Sequence, residues 1–88
     1  MVKFKLDKRL DFMIENFRIK AVEGNNKFKY REGRIVKVNI TDITIGKSLA
    51  VRYFDNSCFL ISDIKDIVEN DVELKIIAEG QNYVLEKI

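Results

Sequence analysis

Apolar residues recur at every second position through most of this chain. Val2, Phe4 and Leu6 alternate with Lys3, Lys5 and Asp7, which predicts a short strand or an extended arm. The period then changes. Leu10, Met13, Ile14 and Phe17 lie at i, i+3, i+4 and i+7, one helical stripe, with Asp7 placed to cap it. This predicts a helix over residues 8–16. The same stretch also fits a strand through Leu10, Phe12 and Ile14, and Phe12 falls off the helical stripe.

From Phe17 onward the period is two. Phe17, Ile19 and Ala21 alternate with Arg18 and Lys20, and Phe28 and Tyr30 alternate with Lys27, Lys29 and Arg31. Gly24-Asn25-Asn26 between them tolerates positive φ, so residues 17–31 are expected to form a hairpin. Glu32-Gly33 turns into a strand through Val36, Val38 and Ile40. Gly46-Lys47-Ser48 turns into Leu49, Val51 and Tyr53, and Asp55-Asn56-Ser57 turns into Phe59 and Ile61. Ser62-Asp63-Ile64-Lys65-Asp66-Ile67 reads as one 3₁₀-like turn. Asn70-Asp71 leads into Val72, Leu74, Ile76 and Ala78, and Gly80-Gln81-Asn82 closes a last hairpin with Tyr83 and Leu85. Six to eight short strands separated by frequent turn signals predict a mainly β (α+β) fold. The expected form is a small antiparallel SH3-like barrel or twisted sheet with one N-terminal helix. The 88 residues suit a single domain, with residues 17–88 rich in β structure.

Within residues 33–67, the order of elements resembles the SH3-like and Sm-like small barrels, and most closely the YolD-like family. The resemblance rests on Gly33-Arg34-Ile35-Val36-Lys37-Val38, then Leu49 to Phe54 in the place of its β-hairpin, then Ile61-Ser62-Asp63-Ile64-Lys65-Asp66-Ile67. It implies a barrel and a non-enzymatic binding role. It carries over no site residues, and the hairpin after Asn70 is additional to the pattern.

Composition narrows the chemistry. The chain has no histidine, which removes imidazole bases and imidazole metal ligands, and its one cysteine forms no internal disulfide. Cys58 lies among apolar residues and is expected to be buried and inert. Gly46-Lys47-Ser48 ends like a phosphate loop, but position 41 is Thr where that loop needs Gly, and a strand follows where it needs a helix. Asp63, Asp66, Glu69 and Asp71 lack the spacing of a calcium loop and read as a solvated acidic edge. No metal, cofactor or enzymatic role is expected. Apolar runs are short (Phe12-Met13-Ile14, Phe59-Leu60-Ile61), too short to span a bilayer, and the first residues lack a signal-peptide core. A cytoplasmic protein is expected.

Charge is unevenly distributed. Residues 18–37 hold Arg18, Lys20, Lys27, Lys29, Arg31, Arg34 and Lys37 against Glu23 and Glu32, whereas residues 55–88 hold eight carboxylates against three lysines. The whole-chain value of +2 conceals this. On the predicted hairpin, alternation places Arg18 and Lys20 on one face of one strand, and Lys27, Lys29 and Arg31 on one face of the next. Three readings are open: a solvated face that guards sheet edges, a nucleic-acid surface with Tyr30, Tyr53 or Phe28 as stacking rings, and contact between subunits, basic 18–37 of one against acidic 55–88 of the next. The composite expectation is a binding module whose site comprises Arg18, Lys20, Lys27, Lys29, Tyr30, Arg31, Arg34 and Lys37, with nucleic acid as the acidic partner. The alternatives are a phage or mobile-element accessory protein that binds and modulates a host protein, and a small oligomeric ligand-binding protein. The absence of proline and the abundance of Ile, Lys and Asn, which read as an AT-rich bacterial or phage coding bias, motivate the phage origin.

Overall fold

A computed structural model describes residues 14–88. Seven strands form one open antiparallel sheet: β1 (Ile14–Glu23), β2 (Ile35–Asn39), β3 (Leu49–Tyr53), β4 (Cys58–Ile61), β5 (Ile64–Glu69), β6 (Glu73–Ala78) and β7 (Gln81–Lys87). Their order across the sheet is β4-β3-β2-β1-β7-β6-β5. The mainly β expectation holds. The expected helix over residues 8–16 does not hold at its C-terminal end, because residues 14–16 are strand, paired Ile14 to Asn39 and Asn16 to Lys37. Residues 8–13 lie outside the described residues. The ladder to β2 pairs residues 14–16 and continues the two-residue alternation of β1, and this outweighs a helical stripe only four apolar residues long.

Strands β4 and β5 are consecutive in sequence yet lie at opposite edges of the sheet. Only residues 62 and 63 join them, so the sheet must curl until its edges meet at this corner. Asp63 turns the corner with φ 55°, and two backbone bonds fix it: Gly46 N–H to the Ile64 carbonyl (2.7 Å) and Ile64 N–H to the Lys47 carbonyl (3.0 Å). The expected 3₁₀-like turn over 62–67 is therefore a two-residue corner followed by strand β5. Curling brings the inner faces of distant strands together. The Phe59 ring on β4 stacks 5.6 Å from the Tyr83 ring on β7. The core inside the curl contains Phe17, Ile19, Val22, Val36, Val38, Leu49, Val51, Ile61, Leu74, Ile76 and Leu85, all essentially inaccessible.

Register departs from simple alternation at two points, one of them between Ile64 and Asp66 in the β5–β6 ladder. The β1–β7 ladder shifts between Ile19 and Ala21, so Lys20 is an extra residue in β1. Ile19 and Val22 therefore both face the core, and Ala21 is only half-buried.

The expected hairpin over 17–31 is not formed. Residues Asn26–Arg31 make a 3₁₀ helix, capped by the Asn25 side chain, which accepts from Lys27 N–H at 3.0 Å. The partner of β1 is instead β2, joined at its start by Ile19 N–H to the Arg34 carbonyl (2.9 Å) and Gly33 N–H to the Ile19 carbonyl (2.7 Å). The run Lys27-Phe28-Lys29-Tyr30-Arg31 fits period two, but it also fits period three. In a 3₁₀ helix residues i and i+3 eclipse, and the Arg31 guanidinium lies 4.1 Å from the Phe28 ring centre.

Gly24, at the end of β1, has φ +90°, and a Cβ there would sit 3.1 Å from the Gly80 carbonyl oxygen in the β6–β7 turn. Gly33 has a similar φ of +87° with open space around it. Gly33→Ala is expected to cost about 1–2 kcal/mol from backbone conformation alone. Gly24→Ala is expected to cost about 1 kcal/mol more, because backbone must move. Urea midpoints of the two variants measure the difference, and equal midpoints would show that the Gly24–Gly80 approach yields freely.

Candidate functional site

Folding sorts the basic residues into three groups. The first is neutralised within the chain. β1 lies beside the acidic strand β7, and Arg18 sits 3.9 Å from Glu86. Lys20 bonds Glu73 of β6, and this hydrogen bond holds its pKa above the usual lysine value. Lys29 lies 3.4 Å from Glu32. The Glu32 carboxylate also accepts from Val22 N–H at 2.8 Å, and that bond, with Lys29 nearby, holds its pKa below the usual range. The acid–base match expected between subunits is thus made inside one chain at Arg18 and Lys20.

The second group is Arg31 alone, and it is buried rather than displayed. Its residue is 8% exposed. Its guanidinium lies between the Phe28 ring (4.1 Å) and the Phe59 ring (4.0 Å), and donates to the Tyr83 hydroxyl at 2.5 Å. Burial opposes its charge, while bonds to Tyr83 and Tyr30 more than offset that, so its pKa stays above the ordinary arginine value. Burial likewise pushes the Tyr83 hydroxyl up, and it remains a neutral phenol. Arg31 therefore locks the 3₁₀ helix onto the curled sheet.

The third group is open to a partner. Lys27 is exposed on the 3₁₀ helix, next to Tyr30, which is 67% exposed. Arg34 lies 4.2 Å over the Tyr53 ring. Lys37 faces outward from β2 and lies 5.0 Å from the ring of Phe54, itself 55% exposed. Among the described residues, no carboxylate comes within 4.0 Å of these cations.

Arg52 belongs with them and lies outside the basic stretch read from sequence. It is the cross-strand partner of Lys37, on the outer face of β3, and it too has no carboxylate within 4.0 Å among the described residues. Alternation of Arg52 with the core residues Val51 and Tyr53 was the signal that placed it outward. Phe54 continues that outward phase. Lys37 and Arg52 line a depression of about 340 Å³ on the outer face, with Ile14, Asn39, Asp42, Ala50 and Cys58. Cys58 is exposed, not buried as its apolar neighbours suggested, because Phe59 and Ile61 take the inward positions of β4 and leave Cys58 and Leu60 outside.

The remaining motifs are structural in this fold. Gly46-Lys47-Ser48 is the turn into β3. Around the acidic edge, Lys65 lies 3.2 Å from Glu79 and 3.9 Å from Asp63, and Lys87 lies 3.0 Å from Glu69. Among the described residues no three metal-ligating side chains come together, and no helix is long and apolar enough to cross a membrane. No protein-family model, curated protein or solved structure matches the chain.

Proposed function

We propose that this protein is a non-enzymatic, cytosolic binding module that takes a polyanion, specifically nucleic acid, on the outer face of β2 and β3. The curled sheet provides a small-barrel scaffold, and the open cations Lys37 and Arg52 provide the contact. One observation carries this reading: Lys37 and Arg52 are cross-strand neighbours beside an exposed aromatic ring, and among the described residues neither has a carboxylate within 4.0 Å. Like charges directly opposite each other destabilise a sheet. A phosphate between them removes that repulsion and releases the counterions that otherwise screen it.

The test compares two double variants by fluorescence anisotropy of a labelled oligonucleotide across a salt series. K37E/R52E is expected to weaken binding roughly tenfold or more and to reduce the salt slope by about 1–2. R18Q/K20Q, which removes cations already paired to Glu86 and Glu73, is expected to change affinity less than about twofold. Equal effects from the two variants would sink the assignment of the outer face.

A second reading has its own observation. Among the described residues strand β4 is a sheet edge, it carries no charged residue, and its Leu60 is 60% exposed. The opposite edge, β5, is guarded by Lys65, Asp66, Glu69 and a register shift. A protein partner adding a strand to β4 would explain the asymmetry. A complex that survives nuclease treatment and is lost in a Leu60→Lys variant would favour it.

A further inference from the structure

We infer that the outer-face site takes single-stranded nucleic acid in preference to duplex, with one nucleotide seated in the depression and a neighbouring base stacked on Phe54. This rests on the proposed function and specifies its ligand.

The depression and the ring are adjacent, because Lys37 belongs to both. It lines the depression and lies 5.0 Å from the Phe54 ring. A volume of about 340 Å³ is at the small end of ligand pockets and suits a single monomer unit rather than a groove-filling element. Its walls are mixed. Ile14 and Ala50 offer apolar contact to a base, Asn39 offers its amide NH2 to a base edge while its Oδ1 accepts from Thr41, and Lys37 and Arg52 offer charge to the phosphate. Phe54 is 55% exposed at the outward end of β3, and nothing in the core requires an aromatic ring there. Stacking on such a ring needs a base with a free face, which a single strand has and a duplex interior lacks. Among the described residues no α-helix is present to enter a major groove, where duplex sequence is read. Asp42 shares the wall and opposes phosphate, so Asp42→Asn is expected to tighten binding.

Cys58 provides the readout. It is the one cysteine in the chain, it is exposed, and it lines the same depression. The rate of its reaction with a thiol-exchange reagent is measured on the full chain alone, with oligo-dT of about 12 nucleotides, and with a duplex of the same length. The single strand is expected to slow the reaction several-fold and saturably, and the duplex to leave it unchanged. Phe54→Ala, an exposed substitution that should leave the fold intact by circular dichroism, is expected to weaken single-strand binding roughly five- to a hundredfold. Equal affinity for both forms with Cys58 unprotected, or an unaltered affinity in Phe54→Ala, would overturn the inference while leaving a general polyanion face in place. Absence of any nucleic-acid binding would overturn the inference together with the function it rests on.

Discussion

Phe17→Ala is expected to bring this protein close to unfolding at room temperature. Phe17 is fully buried on the central strand β1, paired to Val36 on one side and Lys87 on the other. Truncating a buried phenylalanine costs about 3–5 kcal/mol through lost burial and the cavity left behind. A domain of this length holds roughly 4–13 kcal/mol in total. The urea midpoint should therefore fall by roughly 2–5 M, for a denaturant slope of about 1–1.5 kcal/mol/M. Val68→Ala is the control. Val68 lies on the edge strand β5 and is half exposed, so its loss should stay within about 0.5 kcal/mol. A Phe17 effect no larger than the Val68 effect would mean that the sheet does not close over β1 as described.

Phe17 was legible as a core residue from sequence because it falls on the apolar side in both readings of its stretch, the helical stripe before it and the alternation after it. Val36, Val38, Val51, Phe59, Ile76 and Leu85 were legible from the alternation alone. Their phase alone decides which face they occupy, and a one-residue slip would expose them all. Legibility failed where another period competed or where the phase shifted. Residues 27–31 satisfy both period two and period three, and only the Arg31–Phe28 stack and the Asn25 cap show which applies. The bulge at Lys20 moves Val22 inward in place of Ala21, and no local residue marks it. Cys58 was misjudged because its neighbours were weighed by composition rather than by phase.

The candidate site was legible in part for a similar reason. A count along the chain correctly found residues 18–37 basic, but the sheet places β1 beside β7, and the count could not see Glu86 and Glu73 arriving next to Arg18 and Lys20. It also missed Arg52, which lies outside the counted stretch but directly opposite Lys37 in space. Charge in a sheet acts across strands, so its partners are set by strand order, which this sequence does not declare.

Arg31 carries the second large expectation. Arg31→Ala should cost about 2–4 kcal/mol, which for a domain of this size lowers the melting temperature by roughly 10–25 °C. The substitution removes a buried side chain stacked between Phe28 and Phe59 and leaves a void between the 3₁₀ helix and the sheet. The charge itself is a separate matter. Among the described residues no carboxylate lies within 4.0 Å of Arg31, and its Nε finds no hydrogen-bond partner, so the cation carries desolvation without an ion pair to offset it. Two aromatic faces return about 0.5–2 kcal/mol each, and the Tyr83 bond about 1 kcal/mol. With the bond to Tyr30 these terms offset the cost of burying the charge, in keeping with the raised pKa, and the small net leaves volume and shape as the larger part of the Arg31 contribution. Arg31→Met keeps the volume, drops the charge and retains sulfur–aromatic contact. Tyr83 keeps a partner in that variant, because its hydroxyl also donates to the Gln81 side chain at 3.2 Å. Arg31→Met should therefore stay within about 1 kcal/mol of the parent. Arg31→Lys should resemble the alanine variant, since an ammonium cannot lie flat between two rings. Thermal melts of the three variants decide between the two accounts. If methionine falls as far as alanine, the cation and its aromatic contacts hold the helix to the sheet, and packing does not.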